Sequence, residues 1–260
     1  MNVTGSLPIT VTQFWVDANS SSFRDSRINN IKFSTHLDLE LRYSPENVYA
    51  DRYVTPIMYV IGFPGNVISF IVWLQPRMRH SSGYYLAALA LGNLIFLVLH
   101  SMLELHSVWN VPTLDSPGLC EIFPVLYIAT QFLSPLLVLS FAVERYISIC
   151  HPLKRKQYCT TSRAKIVIAF LVTLSVCMSL IYGYFYHFNA TDAECALREE
   201  VTRGGHINVF VIWNVCTEVV FFFPVLVGAL VLNIFVIKQM RRFSRMEIQK
   251  YKGSTRGLPP

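Results

Sequence analysis

Five apolar stretches, each separated from the next by a polar or charged segment, set the layout of this chain. They run Thr55–Leu74, Tyr84–Leu103, Ile122–Val143, Ile166–Phe185 and Val209–Ile237. Each is close to or above the ~20 residues that a helix needs to cross a bilayer. Backbone N–H and C=O groups have no water to bond in hydrocarbon, so the stretches predict helices that satisfy them internally. The expected fold class is an all-α membrane protein. Residues 1–52 read as a polar tail, 53–240 as the spans and 241–260 as a basic tail.

Composition agrees with that pattern. Over 260 residues, 53% are hydrophobic and only 15% charged, too apolar for a soluble domain. The net charge of +6 is explained by where the cations fall, with no need for nucleic acid. Arg77 and Arg79 follow the first stretch, Lys154, Arg155, Lys156, Arg163 and Lys165 the third, and Lys238, Arg241, Arg242, Arg245, Lys250, Lys252 and Arg256 the fifth. The loop after the second stretch has no Lys or Arg, and the loop after the fourth only Arg198 and Arg203. The positive-inside rule then places the N-terminus outside and the C-terminus in the cytoplasm. Sequons at Asn2, Asn19 and Asn189 all fall on the side assigned as external. No basic segment followed by a short apolar one precedes the first stretch, so that stretch is expected to act as the signal anchor.

The third stretch ends in Glu144-Arg145-Tyr146, followed by His151, Pro152 and Leu153. An acid beside a guanidinium at a membrane rim predicts a charge-assisted pair, a latch that a partner could open; an ordinary interfacial ion pair is the plainer alternative. Cys120 stands 25 residues before Arg145. At about 1.5 Å per residue that distance crosses the membrane.

A cysteine at the outer end, Glu-Arg-Tyr at the inner end and His-Pro-Leu after it resemble helix 3 of rhodopsin-family G-protein-coupled receptors. Gly65-Asn66 resembles that family's helix 1, the run Leu86-Ala-Ala-Leu-Ala-Leu-Gly-Asn93 its helix 2, and Pro224 its helix-5 proline. The resemblance implies five transmembrane helices of a seven-helix receptor bundle. It implies a disulfide between Cys120 and Cys195, and a G-protein surface at Glu144, Arg145, Tyr146, Pro152 and Leu153. It also implies a polar network of Asn66, Asn93 and Ser134. The family's helix-2 carboxylate binds sodium with a helix-3 serine. Asn93 replaces that carboxylate here, so sodium binding is expected to be weak or absent. Val172 stands where the family carries a Trp, and Leu232 where it carries a Tyr that supports the active state.

The ligand class follows from similar reasoning. Tyr127 occupies the position of the Asp that pairs with biogenic amines. The second external loop is acidic, and the tail is long and carries sequons, which points to an extracellular peptide. Glu104, Tyr127, Gln131 and Glu218 are its candidate contacts; for Glu218 an interhelical hydrogen bond is the alternative. The stretch Val211–Thr217 with Pro224 and Leu232-Asn233 looks similar to invertebrate FMRFamide-type receptors. No metal spacing, nucleophile motif or phosphate loop appears, so no enzyme activity, metal or cofactor is expected. The basic tail can meet anionic membrane lipid or a heterotrimeric G protein. The family's helices 6 and 7 have no counterpart before Pro260. A truncated receptor is therefore expected, with an alternative role as a non-signalling partner of another receptor chain.

Overall fold

The computed structural model describes residues 45–78, 80–109, 111–190, 194–203 and 208–255. Asn2, Asn19 and Arg79 lie outside them. The helices are α1 (Pro45–Leu74), α2 (Ser81–Ser107), α3 (Leu119–Cys150), the short α4 (Pro152–Tyr158) and α5 (Thr161–Phe185). A two-stranded hairpin follows, β1 (Tyr186–Asn189) and β2 (Glu194–Leu197), then the single turn α6 (Glu199–Thr202). The last rod is α7 (Val209–Cys216) and α8 (Phe223–Thr255), joined through a π-helical turn at Thr217–Phe222. Among the described residues, five helices are long and apolar enough to cross a membrane. Every stretch predicted from the sequence lies inside one of them.

The observed helices outrun the predicted ones because length was read from apolarity alone. Glu144–Cys150 opens on two charged residues yet is helical, and α3 stops only where the next residue but one is Pro152. The ring of Pro152 disfavours helical torsions at His151, which sits at φ −131°, ψ 65°. Proline then serves as the first residue of α4, where a missing N–H costs nothing. Pro124 and Pro135 lie within α3 without ending it.

The centre of the bundle is α3, which packs against α2, α5 and α8, while α1 packs on α2. Half of the most apolar stretch of α3 is buried, against none of that of α1, whose apolar residues face outward. Such outward apolar surface is what a bilayer solvates. Two clusters fill the interior. One, toward Cys120, contains Phe123, Tyr127, Phe132, Tyr182, Phe185 and Phe210. The other, toward Arg145, contains Tyr85, Leu136, Leu137 and Leu171. A glycine sets the tightest crossing: a Cβ on Gly183 of α5 would stand 2.9 Å from Val125 Cγ2 and 3.3 Å from the Glu121 carbonyl of α3.

Two features depart from the expected all-helical layout. The β1–β2 hairpin pairs antiparallel, with Phe188 opposite Cys195; its strands are too short to leave a period-two signature. The π turn precedes Pro224, and Phe223 N–H donates to the Glu218 carbonyl five residues back. Proline offers no N–H, so the turn before it is free to widen. Cys177 and Cys216 are exposed on the outer surface.

Candidate functional site: the two ends of the bundle

At the Cys120 end, the disulfide Cys120–Cys195 ties β2 to the first turn of α3. Cys195 N–H also donates to Asp115 Oδ1 at 3.1 Å, and His106 Nδ1 lies 3.8 Å from the other oxygen of Asp115. Tyr186 and Leu197 of the hairpin are buried in the adjoining aromatic cluster, so the strands close this end of the interior.

Beneath the hairpin, Tyr127 is only 1% exposed. Its ring stacks on Phe123 and Phe96, with centroids 5.9 and 5.5 Å away. One turn further along α3 is Gln131, whose buried Nε2 has no hydrogen-bond partner. Glu104 of α2 is 7% exposed, and its buried Oε1 also lacks a partner. Glu104, Tyr127 and Gln131 thus gather between α2 and α3. Glu218 is apart, half-buried in the π turn of the last rod, on the side of Tyr182 of α5.

Four further polar residues belong to this end and were not singled out from the sequence. Tyr59 Oη and His100 Nδ1 are 2.6 Å apart and bridge α1 to α2. His100 is half-buried and lies edge-on to Tyr59. Tyr182 donates to Asn214 Oδ1 at 2.6 Å and bridges α5 to α7. The first pair had a legible signal: Asn93, His100 and Glu104 recur at spacings of seven and four, one stripe of α2. The second pair had none, because Tyr182 and Asn214 lie on separate apolar runs.

Midway through the bundle, Asn93 Nδ2 donates to Asn66 Oδ1 at 3.2 Å. Ser134 Oγ donates to Asn93 Oδ1 at 3.1 Å, and Asn66 Nδ2 donates to the Gly62 carbonyl of its own helix. The amide of Asn93 is therefore engaged on both sides by neutral groups, and joins α1, α2 and α3. These residues offer a cation only neutral oxygens, one of which already accepts from Ser134.

At the other end, the expected Glu144–Arg145 pair is not formed. Glu144 Oε1 accepts from Ser81 Oγ at 2.7 Å and from Ser82 Oγ at 2.6 Å, both on the first turn of α2. Arg145 turns away, its Cζ 5.0 Å from the centre of the Phe141 ring. Helical geometry explains the difference, since consecutive side chains point about 100° apart and do not face each other. Tyr146 packs edge-on against His151 and against Phe235 of α8, at 5.5 and 6.2 Å. Pro152 opens α4, and Leu153 beside it is 95% exposed. Cys159, after α4, points its thiol at the Glu144 carbonyl at 3.8 Å. Burial, and then the Glu144 carboxylate, push the Cys159 thiol up from its ordinary range.

Comparison with known proteins places this geometry. Human neuromedin-U receptor 2 is 34% identical over 137 residues, half of this chain and 33% of that receptor. The pig growth hormone secretagogue receptor type 1 is 29% identical over 177 residues, covering 65% of this chain and 47% of the receptor. The FMRFamide receptor of Drosophila melanogaster is 29% identical over 213 residues, 73% of this chain and 37% of that protein. The chain thus spans about a third to a half of the length of these relatives. Residues 65–257 match the model of the rhodopsin family of 7-transmembrane receptors, and with five spans, the Cys120–Cys195 disulfide and the Glu-Arg-Tyr end of α3, the chain belongs to that family.

Proposed function

We propose that the chain contributes the first five helices of a receptor for an extracellular neuropeptide, which couples ligand binding to a heterotrimeric G protein. The receptor sits in the plasma membrane with its N-terminus outside and the Arg145 end in the cytoplasm. The observation that carries this reading is the buried polar set at the Cys120 end. Glu104 Oε1 and Gln131 Nε2 are an acceptor and a donor without partners. A buried polar group left unpaired costs ~1–3 kcal/mol, which a ligand that completes the bonds recovers. The relatives named above, among them receptors for neuromedin-U and FMRFamide, support a peptide as that ligand. Tyr127 supports it further, because a phenol at that position offers no charge to an amine.

Ligand contact at Glu104, Tyr127, Gln131 and Glu218 is relayed along α3, which runs from Cys120 to the Glu144–Arg145 end. Arg145, Tyr146, Pro152 and the exposed Leu153 form the G-protein surface. Glu144, held by Ser81 and Ser82, fixes the resting position of that surface. Asn189, in β1, is the glycosylation site among the described residues.

The test uses a seven-span form of the receptor and a panel of neuropeptides, read by nucleotide exchange on purified G protein. Arg145→Ala is expected to abolish exchange and leave peptide binding intact. Glu104→Gln is expected to weaken peptide binding about tenfold or more, the loss of one charged hydrogen bond. Exchange retained in Arg145→Ala, or binding unchanged in Glu104→Gln, would overturn the assignment.

A further inference from the structure

Beside the hairpin, an acid and an imidazole face each other without bonding. His106 stands in the last turn of α2, and its Nδ1 is 3.8 Å from Asp115 Oδ2. That is an ion-pair distance but too long for a hydrogen bond. The nitrogen is buried and has no hydrogen-bond partner. The other oxygen, Asp115 Oδ1, accepts from the Cys195 N–H of β2 at 3.1 Å, and the disulfide ties Cys195 to Cys120 of α3. Asp115 therefore stands between the end of α2 and the hairpin, with one oxygen engaged and the other facing an unsatisfied nitrogen.

Protonation closes this gap. A neutral imidazole with its proton on Nε2 turns a lone pair toward the carboxylate, and the two repel. A protonated ring carries an N–H on both nitrogens, so Nδ1 donates to Asp115 Oδ2 in a charge-assisted bond. The carbonyl ends of the last turn of α2 favour the same positive charge. The other acids on the surrounding elements are Asp51 of α1, Glu104 of α2, Glu121 of α3 and Glu194 of β2. Glu121 accepts from the Gly118 N–H, and among the described residues Asp115 is the one carboxylate that pairs with His106. The cations Arg52 and Arg198 stack on Trp109 and Tyr184 instead. Imidazole is the side chain that ordinarily changes charge between pH 5 and 8. We propose that His106 and Asp115 form a proton-operated clasp, which fastens α2 to the β1–β2 hairpin at acid pH and releases it at neutral pH. A hairpin held more firmly slows the passage of any molecule bound beneath it. The clasp itself requires neither the peptide ligand nor the G protein of the preceding reading.

The experiment measures amide hydrogen exchange of segment 194–197 by mass spectrometry, on the purified chain in nanodiscs at pH 5.5 and pH 7.5. Rates are taken relative to the unstructured peptide at each pH, which removes the intrinsic pH dependence of exchange. Wild-type protection is expected to rise about three- to tenfold from pH 7.5 to pH 5.5, as a partly buried ion pair allows. His106→Gln is expected to abolish the rise. Asp115→Asn keeps an oxygen for the Cys195 N–H and is expected to lose only the gain at acid pH. His106→Lys, a cation throughout this range, is expected to protect the segment at both pH values. Thiol titration confirms the Cys120–Cys195 bond in each variant and keeps misfolded protein out of the comparison.

Protection that stays level between the two pH values in the wild type would make the contact a fixed brace and overturn the proposal. So would a rise that survives in His106→Gln or in Asp115→Asn. His187 of β1 is the rival imidazole at this end. Its Nδ1 is buried without a hydrogen-bond partner, and it forms no ion pair among the described residues, so His187→Gln is expected to keep the rise. A rise lost in His187→Gln and kept in His106→Gln would move the switch to β1 and refute the clasp.

Discussion

The sharpest test of the structure is removal of the two serines that hold Glu144. The carboxylate is 8% exposed and accepts from Ser81 and Ser82 at 2.7 and 2.6 Å. Hydrogen bonds to a charged group contribute about 1.5–3 kcal/mol each. Ser81→Ala or Ser82→Ala alone leaves the other donor in place and is expected to cost about 1–2 kcal/mol. The double variant leaves the buried oxygen without either donor and is expected to cost about 3–5 kcal/mol, more than the two singles together. The assay is reversible unfolding of the purified chain in mixed micelles, run as a double-mutant cycle with Glu144→Gln. If the serines act through the carboxylate, their cost falls by at least ~1 kcal/mol in the Glu144→Gln background. Arg145→Ala is the control. With its guanidinium over Phe141, it is expected to cost about 0.5–1 kcal/mol, as a partly exposed cation–π contact does. A serine pair that costs under ~0.5 kcal/mol, or an Arg145 that couples to Glu144 more strongly than the serines do, would refute the reasoning.

Other outcomes follow from the same geometry. Asn93→Leu breaks both bonds that join α1, α2 and α3 and should destabilise the chain by about 1–3 kcal/mol in the same assay. Replacing sodium by potassium should leave the melting temperature of the wild-type chain unchanged. Gly183→Leu forces a side chain against Val125 and the Glu121 carbonyl and should cost about 1–3 kcal/mol, with Gly183→Ala milder, because Val125 Cγ2 can turn aside. Cys159 should label with maleimide more slowly at pH 7 than a free thiol does, in a variant with Cys150, Cys177 and Cys216 changed to Ser. Its pH–rate midpoint should lie above the usual ~8.5 for a thiol, since burial and Glu144 both favour the protonated form. A midpoint at or below that value would show Cys159 to be freely solvated.

How much of this was legible in the sequence depended on whether the signal was local. The five spans were, because hydrocarbon imposes its requirement on every residue of a run. Glu-Arg-Tyr and its distance from Cys120 were local to one helix, so the register of α3 was readable as well. Contacts between helices were visible only where polar residues interrupt an apolar face at helical spacing, as Asn93, His100 and Glu104 do. Tyr182 with Asn214 and Ser81 with Glu144 join different helices, and no periodicity in either partner announces the other.

The misplaced pair at Glu144–Arg145 shows why adjacency in sequence is a poor guide to contact. Two neighbours on a helix share a level but not a direction, so each finds its partner on a different neighbouring element. Glu144 faces α2, and Arg145 settles on Phe141, one turn back on its own helix. The consequence is a division of labour. The acid ties α3 to α2 whether or not Arg145 is engaged elsewhere. The guanidinium, bound only by a ring face that contributes ~0.5–1 kcal/mol, can leave it at little cost for a partner with a better acceptor. An intact acid–guanidinium pair would have to be broken first, at a cost of several times that amount if buried. The resting arrangement therefore leaves Arg145 the more available of the two charges, and that availability is what the proposed G-protein contact at this end would use.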